Sequence, residues 1–178
     1  MEVDHCIEKY SALHRISPSS SSSIEIKDKT TMIYMMVETS KGVEEVVECM
    51  GYNKLTPEQK RVIVDKATEA PFTGEYDSFY EDGTFICRRC NAPLFSSKSK
   101  FNAECGWPSF DESFPKAVNH VPDPDGMRTE IECANCGAHL GHEFLGEGLT
   151  NKNTRDCVNS VSIRFIPTGK ELPKIIHE

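Results

Sequence analysis

Two Cys-x-x-Cys pairs, Cys87/Cys90 and Cys133/Cys136, are separated by residues 91–132 and bracket the chain's single tryptophan, Trp107. Each pair puts two sulfurs on one tight turn, and two such turns supply the four thiolates of a tetrahedral structural zinc. The alternative, a redox-active turn of the thioredoxin kind, needs a βαβ setting. Here Cys90 is followed by Asn91-Ala92-Pro93-Leu94-Phe95 and Cys136 by Gly137-Ala138-His139, which is turn and strand text. The reading is therefore a Zn²⁺ that staples two distant hairpins and leaves chemistry to other residues.

The chain has 178 residues, enough for one ordinary domain and a tail with a core that needs no disulfides. A net charge of −8 and the lack of any basic stripe argue against nucleic acid as a partner. Eight cysteines would suit a secreted disulfide scaffold, but Met1-Glu2-Val3-Asp4-His5 opens without the basic and apolar regions of a leader. A reducing, cytoplasmic setting is the expectation. The longest apolar run, Met32 to Val37, is far short of the ~20 residues of a membrane span.

Residues 1–50 read as a disordered extension, because Ser17-Pro18 and the run Ser19 to Ser23 cannot bury a core. Within it, Val43 to Met50 is expected to form at most a short, marginal helix. The folded domain is expected over 51–168, with 169–178 as a C-terminal tail. Its first helix is signalled by Thr56 as N-cap, Pro57 at the first helical position and Gln59 closing a capping box, and runs to near Ala67. From Phe72 onward short strands alternate with Gly, Pro and Asn, so the class is mainly β with one or two short N-terminal helices. The last stretch, Arg155 to Phe165, reads as one long strand. Strand alternation puts Arg155, Cys157, Asn159, Val161, Ile163 and Phe165 on one face, apolar at the far end and polar at the near end, as if entering a pocket.

A lone cysteine on such a face is more often packing than nucleophile. Cys157 departs from that base case because Arg155, on the same face, favours the thiolate and Asn159 offers a donor. His139 and His142 directly follow a zinc turn and could be read as ligands, but four thiolates already fill a tetrahedral site. They are thus free for proton transfer. Trp107, held between Gly106 and Pro108, is either satellite core or an apolar wall for a small group such as a methyl.

From about Leu55 to Phe165 the chain resembles methionine sulfoxide reductase B. The resemblance rests on the two Cys-x-x-Cys turns, Cys105-Gly-Trp-Pro-Ser-Phe110, Arg128-Thr-Glu-Ile131, Gly137-Ala-His-Leu-Gly-His142-Glu-Phe144 and Arg155-Asp-Cys-Val-Asn-Ser160, in that order. It implies two antiparallel sheets in a tent-like arrangement, a zinc on Cys87, Cys90, Cys133 and Cys136, and reduction of methionine-R-sulfoxide. It also implies Cys157 as nucleophile, Cys105 as resolving thiol, and His139, His142, Arg155 and Asn159 as residues that bind and protonate the departing oxygen. Trp107 corresponds to the wall that receives the substrate methyl, with Phe144 and Glu147 in the same pocket. Expected partners are thioredoxin or a similar dithiol and free or protein-bound methionine sulfoxide, acting on a monomer.

Two positions depart from the family pattern. Where an Asp commonly follows the His-x-x-His segment, this chain reads Gly146-Glu147, so the carboxylate role passes to Glu147 or is absent. Asp156 precedes the nucleophile in place of His or Tyr, and strand alternation points it to the opposite face. Two other classes of function compete: a zinc-stapled binding module without turnover, and a thiol peroxide sensor that forms the same sulfenic acid from oxidant.

Overall fold

The computed structural model describes the backbone of residues 26–29, 32–38 and 44–49, and the whole of residues 51–123 and 126–177. Two units result, residues 1–52 and residues 53–177.

In the first unit β1 (Ile26–Lys29), β2 (Met32–Glu38) and β3 (Glu44–Cys49) form an antiparallel meander. Glu44–Cys49 is therefore a strand, where a helix over Val43–Met50 was expected. The reason lies in the partner: β2 pairs with it from Ile33↔Cys49 to Glu38↔Glu44, and this ladder satisfies backbone groups that a lone two-turn helix cannot hold against fraying. Val46 and Val47 also favour a pleated backbone over a helix. The serine run and Cys6 lie outside the described residues.

The second unit opens with α1 (Pro57–Ile63), the one α-helix among the described residues, shorter than the run to Ala67. Its start is as the sequence indicates: Thr56 Oγ1 accepts from the Gln59 N–H at 3.2 Å and Gln59 Oε1 accepts from the Thr56 N–H at 3.0 Å. Val62 and Ile63 are its buried residues.

Two antiparallel sheets follow. The smaller has β12 (Ile163–Pro167), β4 (Gly83–Cys87) and β5 (Pro93–Ser96) side by side. The larger runs in the order β6 (Lys100–Phe101), β7 (Ser109–Phe110), β11 (Thr154–Val158), β10 (His139–Leu145), β9 (Thr129–Cys133) and β8 (Val118–Pro122). Between them Phe95 stacks on Phe110 at 4.4 Å and Phe85 meets Phe110 edge-on at 5.1 Å, all three fully buried. Each buried ring contributes roughly 1.5–3 kcal/mol, so this trio dominates the join.

The stretch Arg155 to Phe165 is two strands in two sheets. A 3₁₀ turn at Ser160–Ser162 carries the chain from β11 across to β12. Beyond Val158 the expected alternation stops, and Asn159, Ser160 and Ser162 are all buried. A strand that must leave one sheet and enter the other cannot keep a single pair of faces.

Candidate active site

The two zinc-type turns fold alike. In each, the residue after the second cysteine takes a left-handed backbone, Asn91 at φ 68° and Gly137 at φ 66°. Its N–H bonds the carbonyl of the first cysteine, Asn91 to Cys87 at 2.9 Å and Gly137 to Cys133 at 2.8 Å. The following alanine accepts from that cysteine's N–H. Sulfurs of opposite turns then face each other, Cys87 to Cys136 at 3.7 Å and Cys90 to Cys133 at 3.6 Å. Four sulfurs on ~2.3 Å bonds around a tetrahedral ion sit roughly 3.8 Å apart, so the set fits zinc without rearrangement. Near the C-terminus Ile176 donates to the Cys90 carbonyl at 2.8 Å and Asn135 to the Ile176 carbonyl at 2.7 Å, closing over both turns.

β11 lies between β7 and β10, and directly paired residues in antiparallel ladders share a face. Cys157 pairs with His142 on one side and Ser109 on the other, while Arg155 pairs with Phe144. The loop before β7 brings Cys105 in: its sulfur is 3.8 Å from that of Cys157 and 3.4 Å from Ser109 Oγ. Hydrogen bonding to Cys157 holds the Cys105 thiol down at about 5, against burial, with Ser109 and Arg155 helping. The same bond, with burial, pushes the Cys157 thiol up, while Arg155 pulls it back. The two sulfurs thus titrate as a pair that gives up its first proton easily and holds the second.

Arg155 is buried and makes two bonds to Glu147, Nε to Oε2 at 2.6 Å and an Nη to Oε1 at 2.9 Å. Its guanidinium lies 4.3 Å over the Phe144 ring. Each partner steadies the other's charge, the Arg155 proton held more firmly and the Glu147 carboxyl held below its usual range. Glu147 thus holds a carboxylate against the Arg155 guanidinium.

His139 is buried, donates through Nδ1 to Glu130 at 2.7 Å, and has no partner for Nε2 among the described residues. Burial lowers its pKa against the pull of Glu130, which favours a neutral ring with an open nitrogen. Lys66 in turn holds Glu130 at 2.9 Å. His142 bonds Asp123 at 2.7 Å, and the two imidazoles stand 5.6 Å apart.

Asn159 sits differently from the expectation of a substrate-facing donor. Its Oδ1 accepts from the Glu69 N–H at 2.9 Å and its Nδ2 donates to the Leu140 carbonyl at 3.0 Å, so the amide ties three chain segments together. Glu69 completes that tie. Its carboxylate accepts from the N–H groups of Ser160 and Val161, both at 3.0 Å, and its carbonyl accepts the Trp107 indole N–H at 3.2 Å. Trp107 is half-buried, with its rotation fixed by that bond.

Sequence reasoning missed Glu69, Glu130 and Asp123 as partners of the site. Glu130 carried a signal, an acid beside Ile131 in a short strand, whereas nothing around Glu69 or Asp123 sets either apart from a surface carboxylate.

The SelR domain family matches residues 55–167. Peptide methionine sulfoxide reductase B5 of Oryza sativa subsp. japonica is 56% identical over 116 residues, 65% of this chain and 85% of the relative. Peptide methionine sulfoxide reductase B5 of Arabidopsis thaliana is 57% identical over 114 residues, 64% of this chain and 82% of the relative. Peptide methionine sulfoxide reductase B3 of Arabidopsis thaliana is 54% identical over 119 residues, 66% of this chain and 68% of the relative. With a family match spanning more than half of its length and relatives at this identity, the chain belongs to the peptide methionine sulfoxide reductase B family and is an oxidoreductase.

Proposed function

We propose that the chain reduces methionine-R-sulfoxide, free or in proteins, to methionine, with Cys157 as nucleophile and Cys105 as resolving thiol. The 3.8 Å between their sulfurs carries the reading, because a short side-chain rotation closes that gap to a bond of ~2.05 Å. The Cys157 sulfur attacks the sulfoxide sulfur, giving up its thiol proton as it does so, that proton reaches the sulfoxide oxygen, and the oxygen passes to Cys157, so that methionine leaves with Cys157 as sulfenic acid. The Cys105 thiolate then attacks the Cys157 sulfur, the oxygen departs as water, and a disulfide remains. Thioredoxin or a similar dithiol supplies the two electrons that reopen it.

The neighbours suit these steps. Arg155 holds negative charge near both sulfurs, and Glu147 and Phe144 fix its plane. His139, oriented by Glu130, presents an open ring nitrogen that can accept the thiol proton and return it to the oxygen. His142, oriented by Asp123, shares the Cys157 face. Trp107 offers the apolar surface for the substrate methyl, and Asn159 positions the strand end. Cys87, Cys90, Cys133 and Cys136 would hold a structural zinc, which keeps the two turns together and takes no part in oxygen transfer.

The further setting we propose is a monomer in a reducing, cytoplasmic compartment, repairing oxidised proteins. Among the described residues no helix is long and apolar enough to cross a membrane. Two relatives, one of Oryza sativa subsp. japonica and one of Arabidopsis thaliana, are named as chloroplastic.

Separate R and S sulfoxide epimers with excess dithiol test the activity, since one such enzyme handles one epimer. Methionine should appear from the R form alone. Equal consumption of both forms would sink the reading.

A further inference from the structure

The face of the large sheet opposite Cys157 carries its own cluster. Asp156 pairs with Phe110 on one side and Glu143 on the other, one row along from buried Val158 and Ile131, so it stands where the core ends. His120 reaches the same place from β8, with its Nε2 3.2 Å from Glu143 Oε1. One ligand atom from each of His120, Glu143 and Asp156 lies within 4.8 Å of the other two. Asp156 is only 3% exposed, and its Oδ1 has no hydrogen-bond partner among the described residues. A buried carboxylate oxygen left without a donor is expensive to keep, and native structures seldom tolerate one without an ion or water to meet it.

We propose that His120, Glu143 and Asp156 form a divalent-cation site, distinct from the four cysteines, that takes an ion of the Mn²⁺ or Zn²⁺ kind. One imidazole and two carboxylates are a nitrogen and oxygen set, suited to borderline and hard ions, where the thiolate set selects soft ones. Donors on ~2.1 Å bonds to one ion sit roughly 3.0–3.4 Å apart, which the His120 to Glu143 separation meets. Two acids facing each other would gain from a shared cation. Access is from the His120 side, since that side chain is 43% exposed and Glu143 16%, leaving solvent to complete the coordination. Asp156 forms the floor.

Manganese is the discriminating probe because thiolates bind it poorly. Full-length protein with its cysteine site loaded with zinc would be titrated with Mn²⁺, and free Mn²⁺ read by electron paramagnetic resonance. One saturable equivalent per chain is expected, with Asp156→Asn and His120→Gln each weakening it by at least about tenfold. His120 is exposed, so His120→Gln keeps the test open should Asp156→Asn fail to fold. Absence of saturable binding to the wild type, or an unchanged affinity in His120→Gln, would overturn the site and leave a hydrogen-bonded cluster holding a proton.

Discussion

At 3.8 Å the thiols of Cys105 and Cys157 share what either would hold alone, and Arg155 adds a fixed positive charge beside both. The chemistry needs one sulfur ionised and one still able to give a proton, which a coupled pair provides and two isolated thiols of ordinary acidity would not. Asp156, one residue from Cys157, obeys the opposite rule. Burial, with Glu143 adding repulsion, pushes its carboxyl up to about 7, while His120 pulls it down. An acid whose folded pKa exceeds its unfolded value binds its proton more firmly in the fold, so stability falls as pH rises from the unfolded value to the folded one and levels off above it. Without added divalent cation, Asp156→Asn should therefore gain on the wild type by on the order of 2–3 kcal/mol between pH 5 and pH 8, read by urea or thermal unfolding. A gap that stays flat would mean Asp156 is ionised throughout. Much at this scale was legible: Arg155 and Cys157 share a face by strand alternation, and His139 and His142 are spare once four thiolates are counted. The orienting acids were not, because Glu69, Glu130 and Asp123 gain meaning only from partners such as Ser160, His139 and His142. Asn159 looked like a donor to substrate for the same reason, since its two bonds go to backbone that only the fold brings near.

Elements decide how close those residues come. β10 shifts register between His139 and Gly141, and a Cβ on Gly141 would collide with the carbonyl oxygen of Cys157. Gly141 is thus what lets the His139-Leu140-Gly141-His142 segment press against the strand that carries Cys157. Gly141→Ala should cost about 1–3 kcal/mol in unfolding free energy, the range for strain forced into a packed site. Its reductase rate should fall further than its stability implies, because the strands part beside the two sulfurs to which we assign the reaction. A variant with wild-type stability and turnover would show that the ladder gives way easily. The capping box on Thr56 and Gln59 was readable because all its determinants lie within four residues. By contrast, β3 and the break between β11 and β12 depend on which strand lies alongside, and local text does not carry that information.

For the whole molecule, the cysteine turns join chain segments that are far apart in sequence, and the C-terminal residues lock onto them. Binding a structural zinc contributes roughly 10 kcal/mol or more in zinc-finger peptides, against a net stability of about 5–15 kcal/mol for a domain. Cys133→Ser should therefore lose both its zinc, by metal analysis, and its cooperative thermal transition. Retention of both would separate the four cysteines from the fold's stability. The doubled pattern Cys-x-x-Cys followed by Asn or Gly and then Ala announces these turns, whereas docking of Ile176 beside Cys90 has no local signature. In the mechanism proposed above, Cys157 takes the oxygen and Cys105 closes on it. Reductant-free protein mixed with excess methionine-R-sulfoxide, followed by methionine counting and peptide mass mapping, tests it most directly. One methionine per chain is expected, with Cys105 and Cys157 linked. In Cys105→Ser the same single methionine should appear with Cys157 trapped as sulfenic acid, and in Cys157→Ser none. A full burst from Cys157→Ser, or a wild-type disulfide that joins Cys157 to Cys6 or Cys49 instead of Cys105, would contradict it.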